Sequence, residues 1–170
     1  DTHAVLRKYR SSFELVTQGL YVNESAKMGL LRARVLTSTG TEIHNFGKPL
    51  RFEFEFQFST THRNGAFSFQ IVDEDAKPIA HLWLFDNELK WTRQGRVSIR
   101  CVIPAPKLYM GQYTLVTYLT DRAGNEQFET LEQICPFEVV MDGIYREYAW
   151  VKGTCAYIEE QKWEIFKPEF

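Results

Sequence analysis

The chain has 170 residues, of which 44% are hydrophobic and 25% are charged, enough for one folded domain with its own core. Its formal net charge is −2 at pH 7, so it lacks the basic excess with which most nucleic-acid-binding proteins neutralise phosphates. Aromatic residues make up 15% of the chain, a high share that needs an explanation. This balance favours a polar uncharged ligand or a protein partner over a nucleic acid.

Residues 1–26 show no sustained alternation of apolar and polar residues, so we interpret them as a linker with a short packed segment around Phe13–Val22. Because the chain begins with Asp1, we expect it to be a domain of a longer protein. No apolar run approaches the roughly 20 residues that span a bilayer. No signal peptide is recognised either.

Alternating apolar and polar residues predict a series of short β-strands between residues 27 and 141. In the clearest run, five apolar residues from Leu50 to Phe58 alternate with charged or amide side chains. Successive side chains of a strand point to opposite faces, so this run has one apolar face and one charged face. The other inward sets are Leu31, Ala33, Val35; Phe67, Phe69, Ile71; Val97, Ile99, Cys101, Ile103; Tyr113, Leu115, Thr117, Leu119; and Phe137, Val139, Met141.

Turn-forming residues separate these runs, and no convincing helical segment lies between them. Parallel strands need crossover helices, for which the connections leave no room. Residues 27–141 are therefore predicted to form an all-β, antiparallel β-sandwich of immunoglobulin-like or jelly-roll type, with about seven to eight strands.

Residues 142–170 form an aromatic-rich C-terminal extension, which is atypical of disordered segments. We predict a further strand near Thr154–Glu159, added to an edge of this sandwich or of a partner's. The three cysteines, Cys101, Cys135 and Cys155, have no CxxC or zinc-type spacing, and their odd number fits a reducing compartment.

Sequence motifs for catalysis are absent, including those of phosphate-binding loops, dinucleotide-binding folds, zinc proteases and serine hydrolases. The four histidines have no metal-ligand spacing. Glu53 and Glu55 share one strand face, which favours a solvated surface over the paired carboxylates of a glycosidase. The acidic residues near Asp73 and Asp121 lack a calcium-loop signature. We therefore predict no enzyme activity, no cofactor and no metal.

The most suggestive segment for binding is 79–86, with the sequence IAHLWLFD. If it is a strand with Leu82 and Leu84 in the core, alternate residues form an aromatic platform on the outer face. Such a platform suits a sugar ring, whose C–H groups stack on it while polar neighbours hold the hydroxyls. The candidate carbohydrate-binding residues are Trp83, His81, Phe85, Gln70, Tyr118 and Arg100, with Glu138 as a further polar candidate.

Two alternatives remain open for this segment. In an inverted register, Trp83 and Phe85 would lie in the core and the leucines outside. In the second, the C-terminal extension would cover the platform. The orientation of Trp91, in the loop from Asn87 to Gly95, is open as well.

Several segments resemble a known family in their order and spacing. They are VLTSTG at 35–40, FGKPL at 46–50, Ile103-Pro104, LYMGQYTL at 108–115 and PFEV at 136–139. Over roughly residues 30–141 the chain resembles the C-terminal domain of Wzt, the ATPase subunit of ABC exporters for O-antigen polysaccharide. The resemblance implies an immunoglobulin-like sandwich whose shared motifs build the scaffold.

For function, the resemblance implies recognition of the modified, non-reducing end of a finished polysaccharide, which couples chain completion to export. The implied partners are the glycan, the nucleotide-binding domain and the membrane subunit of the exporter. The implied location is cytoplasmic, peripheral to the bacterial inner membrane. A homodimer formed by exchange of a C-terminal strand is also implied. This chain has no phosphate-binding loop, so the ATPase activity would belong to the parent protein.

Two other functions compete with a glycan-binding module. One is a protein–protein interaction or dimerisation module whose outer aromatics are buried by another chain. The other is a glycoside-modifying jelly-roll enzyme, which requires two carboxylates facing each other across a groove. The sequence supplies no convincing pair.

Overall fold

The structure, a computed structural model, describes residues 19–60, 65–85, 94–121, 126–145 and 149–165. This part of the chain contains nine β-strands, and none of it forms a helix of the length and hydropathy of a membrane span. The strands are β1 Leu20–Val22, β2 Gly29–Leu36, β3 Ile43–Asn45, β4 Leu50–Phe58, β5 Gly65–Asp73, β6 Pro78–Phe85, β7 Gly95–Ile103, β8 Gly111–Asp121 and β9 Gln127–Val140.

The strands form two sheets that pack face to face. The first sheet has the order β1-β2-β4-β7, and the second has the order β3-β9-β8-β5-β6. Neighbouring strands are antiparallel except for β3 and β9, which pair in parallel. The predicted all-β sandwich is confirmed. Two of the nine strands, β1 and β3, were not predicted; they have three residues each, too few for alternation to reveal them.

The core is built mainly from the phenylalanines of β4 and β5, one strand from each sheet. Phe54 lies between Phe67 and Phe69, with ring centroids 4.8 Å and 5.0 Å away. Phe52 packs on Phe69 from the next position along β4, at 4.9 Å. Each of these side chains is almost fully buried, which stabilises the fold by roughly 1.5–3 kcal/mol per residue. The charged residues of β4 point away from the core, as the alternation predicts.

β9 is much longer than the predicted strand around Phe137–Met141. Gln133 and Cys135 have φ angles of 55° and 52°, which interrupt the regular alternation of the strand. The Cys135 thiol is buried and donates a hydrogen bond to the carbonyl oxygen of Ala33 at 3.3 Å. Because β9 also contacts β1 and β2, it links the two sheets along one side of the sandwich.

The C-terminal extension folds back on the loop before β8. The backbone N–H of Tyr109 donates to the oxygen of Ala156 at 3.1 Å, and that of Ile158 donates to the oxygen of Lys107 at 2.9 Å. The strand predicted near Thr154–Glu159 is therefore only a single antiparallel bridge, and it pairs with this loop and not with a sheet edge. Apart from this bridge between Leu108 and Tyr157, the described residues around Tyr157 form no regular ladder of strand hydrogen bonds.

Candidate ligand-binding surface

The register of β6 places the Trp83 side chain on the outside of the second sheet. Leu82 and Leu84 pack against the core, whereas Trp83 is 58% exposed. The predicted outward orientation of His81 and Trp83 is confirmed, and a register with Trp83 in the core is excluded. Together with the His81 and Tyr118 rings beside it, Trp83 forms a contiguous surface patch, which marks a candidate binding site.

Four predicted site residues meet on this outer face, which we call the aromatic face: Gln70, His81, Trp83 and Tyr118. Gln70 on β5 is the register partner of His81 on β6. The His81 ring lies 4.1 Å from the Trp83 ring, with a 33° angle between the planes, and 6.0 Å from the Tyr118 ring. The Tyr118 hydroxyl donates a hydrogen bond to the Gln70 carboxamide oxygen at 3.2 Å. Three adjacent strands, β6, β5 and β8, thus contribute to one continuous surface.

The floor of the aromatic face includes a residue that the sequence analysis did not single out. Ser68 on β5 is paired with Trp83 on one side and Tyr118 on the other, and it is only 3% exposed. Its burial shows that the neighbouring side chains cover it. The alternation of β5 points to it, because Phe67 and Phe69 face the core and Ser68 must therefore face outward.

The aromatic face is electrically neutral at neutral pH. Partial burial lowers the pKa of His81, so its imidazole is uncharged and carries one donor and one acceptor nitrogen. The other polar groups are a phenol and a carboxamide, both uncharged. The arrangement offers stacking area and uncharged hydrogen-bonding groups, which suits a polar uncharged ligand.

Two predicted polar candidates do not join this surface. Arg100 lies on β7 in the first sheet, where both its Nε and Nη2 donate to Glu53 Oε1, at 2.8 Å and 2.6 Å. Its predicted place beside the platform is wrong, because outward residues of the two sheets face opposite sides of the molecule. Glu138 is in the same sheet as Tyr118 but pairs with Gln112, six residues along β8, which is about 20 Å away.

The remaining aromatic candidates are only partly described. The backbone of Phe85 continues β6 and pairs with Ala66, but its side chain lies outside the described residues. Trp91 lies outside them altogether. The described part of the C-terminal extension contacts the loop at 107–109, and Trp150 packs on Tyr109 at 6.0 Å. With Trp83 exposed, that part of the extension does not bury the aromatic face.

Other groups with possible chemistry have structural roles. His44 is fully buried: its Nδ1 accepts a hydrogen bond from the Ser38 N–H at 3.1 Å, and its Nε2 lies 3.1 Å from the Lys48 oxygen. Glu53, one of the two carboxylates considered for a glycosidase, is bound by arginines on both sides. No group of three or more potential metal ligands occurs among the described residues.

Comparison with protein-family models finds a match over residues 22–155 to the family described as the Wzt C-terminal domain. The chain belongs to the Wzt C-terminal domain family. Among solved structures it is similar to the crystal structure of the C-terminal domain of Wzt, with a TM-score of 0.56 and 8% identity over 71% of this chain and 77% of that one. At this identity, the similarity supports the sandwich fold alone. Comparison with curated proteins finds no match.

A second solved structure has a lower TM-score of 0.44: the alkylpurine DNA glycosylase AlkC of Pseudomonas fluorescens, bound to DNA containing an abasic site analog. It shares 14% identity over 68% of this chain and 31% of that one. Similarity at this level carries no functional argument.

The segments that carried the resemblance to the Wzt family lie mainly in the scaffold. Tyr113 stacks on Phe137 in the core, with ring centroids 5.6 Å apart, and its hydroxyl donates to the Tyr109 oxygen at 2.8 Å. Leu115 and Val139 are also buried. These segments account for the fold that the chain shares with the Wzt C-terminal domain, and none of them contributes to the aromatic face.

Proposed function

We propose that this domain binds the modified, non-reducing end of an O-antigen polysaccharide without catalysis, and that the aromatic face is the binding site. The observation that carries the proposal is the exposed Trp83 ring, with His81 stacked beside it and the hydrogen-bonded Tyr118 and Gln70 next to it. An aromatic ring can stack on the C–H groups of a sugar ring, and the neutral polar groups beside it can form hydrogen bonds with the sugar hydroxyls.

Each residue has a distinct role in this proposal. The apolar face of a sugar ring packs on Trp83, and burial of both surfaces contributes the favourable free energy. The Gln70 carboxamide and the neutral His81 ring form hydrogen bonds with hydroxyl groups. Such a shallow site is expected to bind weakly.

Family membership supports a place for this binding in an ABC exporter. In the proposed context, the domain lies on the cytoplasmic side of the bacterial inner membrane beside a nucleotide-binding domain and a membrane subunit. Recognition of the finished chain end then couples completion of the polysaccharide to its export. A homodimer held by exchange of the C-terminal extension is part of the same proposal.

A protein-interaction or dimerisation module without glycan binding is the second candidate. It is favoured by the exposed apolar side chains of the C-terminal extension, notably Trp163, which is 89% exposed, and Ile165. In that case the aromatic face would contact a protein.

Calorimetric titration with the exported polysaccharide of the source organism, end-modified and unmodified, tests the proposal. We expect binding to the modified form only, and loss of that binding in Trp83→Ala. Trp163→Ala is the matched control, because it removes an equally large exposed ring far along the chain from β6. Binding of neither form, or equal loss in both variants, would favour the interaction module.

A further inference from the structure

We propose that the outer face of the first sheet holds a separate oxyanion site, in which Arg34 and Arg100 together bind a carboxylate or phosphate group. The site is distinct from the aromatic face, because it lies on the opposite sheet of the sandwich. It therefore does not depend on the function proposed above.

The register of three strands brings the charged groups into one row. Arg34 on β2 is the direct partner of Glu53 on β4, which in turn is the direct partner of Arg100 on β7. All three side chains point outward, since their neighbours Val35, Phe54 and Ile99 belong to the core or pack against it. The row crosses the middle of the sheet, so the two guanidinium groups flank one carboxylate.

The hydrogen bonds within this row hold both arginines in place. Arg34 donates through Nε to Glu53 Oε2 at 2.5 Å, and its Nη2 contacts the same oxygen. Arg100 donates through Nε and Nη2 to the other oxygen, Oε1. A single glutamate thus orients two guanidinium groups, and the row keeps one excess positive charge.

Each arginine retains hydrogen-bonding capacity. A guanidinium has five N–H donors, of which Glu53 engages those on Nε and Nη2. Among the described residues, neither Nη1 atom has a hydrogen-bond partner. The side chains of Arg34 and Arg100 are 54% and 62% exposed, so these donors are accessible from solvent.

The row forms part of the floor of a groove of about 810 Å³. The groove is also lined by Leu20 and Val22 of β1 and by Glu24, which forms an ion pair with Arg32. Glu55, the other acidic residue of the floor, is paired with Arg96 at 3.4 Å. Because Glu24 and Glu55 each have an arginine of their own, the unbalanced positive charge lies at Arg34 and Arg100.

This arrangement selects a ligand class. Two pre-oriented guanidinium groups form strong, charge-assisted hydrogen bonds with an anion that has two or more oxygens. Carboxylate and phosphate groups share that geometry, whether they are free ions or substituents of a saccharide. A neutral sugar lacks the charge that the row complements.

The test is NMR titration of the whole chain with inorganic phosphate, glucuronate and neutral glucose, following the side-chain Nε–H resonances of the arginines at low ionic strength. We expect phosphate and glucuronate to shift the signals of Arg34 and Arg100, and glucose to leave them unchanged. Tighter binding of glucuronate than of phosphate would identify a saccharide-borne anion, and equal affinity a free ion.

Variants separate the site from general surface charge. Arg34→Gln combined with Arg100→Gln should weaken anion binding by more than about tenfold, given the strength of charge-assisted hydrogen bonds. Arg51→Gln is the matched control, since Arg51 lies exposed on the same face of β4 but does not line the groove. Trp83→Ala should leave anion binding intact.

Three results would overturn the proposal. They are unshifted arginine signals in the unaltered protein, an equal response to glucose, and equal weakening in Arg51→Gln. The first two need no variant, so the proposal can fail even if the double variant does not fold.

Discussion

Phe54 and Trp83 are both aromatic residues within a strand, but they lie in different surroundings. Phe54 is 2% exposed and contacts two other phenylalanine rings, whereas Trp83 is 58% exposed and contacts His81. At the residue scale, the face of the strand decides whether an aromatic side chain lies in the core or at the surface of the sheet.

Alanine substitution should separate these two roles. Phe54→Ala is expected to lower the free energy of unfolding by about 3–5 kcal/mol, because it leaves a cavity between the sheets. Trp83→Ala should lower it by no more than about 1 kcal/mol, since the ring is mostly in water. Denaturant unfolding of both variants measures the difference. A loss of several kcal/mol in Trp83→Ala would contradict the outward orientation.

His44 should make stability depend on pH. Burial lowers the pKa of His44 in the folded protein, although its hydrogen bond with the Lys48 oxygen partly opposes the shift. The unfolded chain, with a histidine pKa near 6.5, therefore takes up a proton first as the pH falls. This contribution to stability is complete above about pH 6.5 and is lost as the pH drops towards the lower pKa of the folded state.

The measurement for His44 is the free energy of unfolding between about pH 5 and 8, the range in which histidines titrate. His44→Gln should be less stable and should lose part of the pH slope. His81→Gln is the comparison: burial lowers the pKa of His81 as well, so this variant loses that contribution to the slope but keeps the one from His44. An unchanged slope in His44→Gln would show that this histidine does not titrate as expected.

At the element scale, the start of β2 depends on a close contact with β9. The Glu129 carboxylate accepts a hydrogen bond from the Leu30 N–H at 2.8 Å. Gly29, beside it, has a φ of 109°, and a Cβ atom there would lie 2.7 Å from Glu129 Oε1. Burial raises the pKa of Glu129, while the hydrogen bond from Leu30 partly opposes this shift. Glycine suits this position because its φ is positive and because a Cβ atom there would displace the Glu129 carboxylate from its contact with Leu30.

Gly29→Ala should therefore destabilise the protein by more than backbone strain alone, by about 2–4 kcal/mol in denaturant unfolding. Gly40→Ala is the control: its φ is 75°, and nothing lies within 4 Å of an added Cβ, so only about 1 kcal/mol is expected. If the contact with Glu129 is the cause, adding Glu129→Ala should offset part of the loss in a double-mutant cycle. Equal effects of the two glycine substitutions would argue against it.

At the scale of the whole molecule, the two sheets present different outer surfaces. The second sheet carries the neutral aromatic face, and the first carries a ladder of arginine–glutamate pairs. The C-terminal extension contacts a third region, the loop at 107–109, where Lys107 pairs with Glu160 at 2.5 Å. Substitutions can therefore change the aromatic face, the arginine–glutamate ladder or the C-terminal extension without changing the other two.

Deletion of residues 142–170 tests what the extension does. In a background without Trp91, Trp83 is the only tryptophan left after the deletion. Its emission maximum should match that of full-length protein in which Trp91, Trp150 and Trp163 are replaced by phenylalanine. Sedimentation should show loss of the proposed homodimer. A shift of the Trp83 emission would mean that the extension, or a partner's, covers the aromatic face.

Much of this molecule was predictable from local alternation. The inward sets of β2, β4, β5, β7 and β8 lie as predicted, and the outward position of Trp83 follows from the leucines on either side of it. β1 and β3 were not predicted, because three residues are too few to show the alternation of apolar and polar side chains. β9 was predicted only at its end, since the positive φ angles at Gln133 and Cys135 interrupt the pattern.

The sequence by itself determined the fold class and the apolar face of each long strand. It also determined that Trp83 and His81, two residues apart on one strand, lie on the same face. The tertiary structure alone decided which outward residues meet. Alternation tells which side chains point away from the core, but it does not tell to which sheet a strand belongs, because strand pairing joins residues far apart in the chain. Gln70 and Tyr118 therefore lie beside Trp83, whereas Arg100 lies with Arg34 and Glu53 on the opposite side of the molecule.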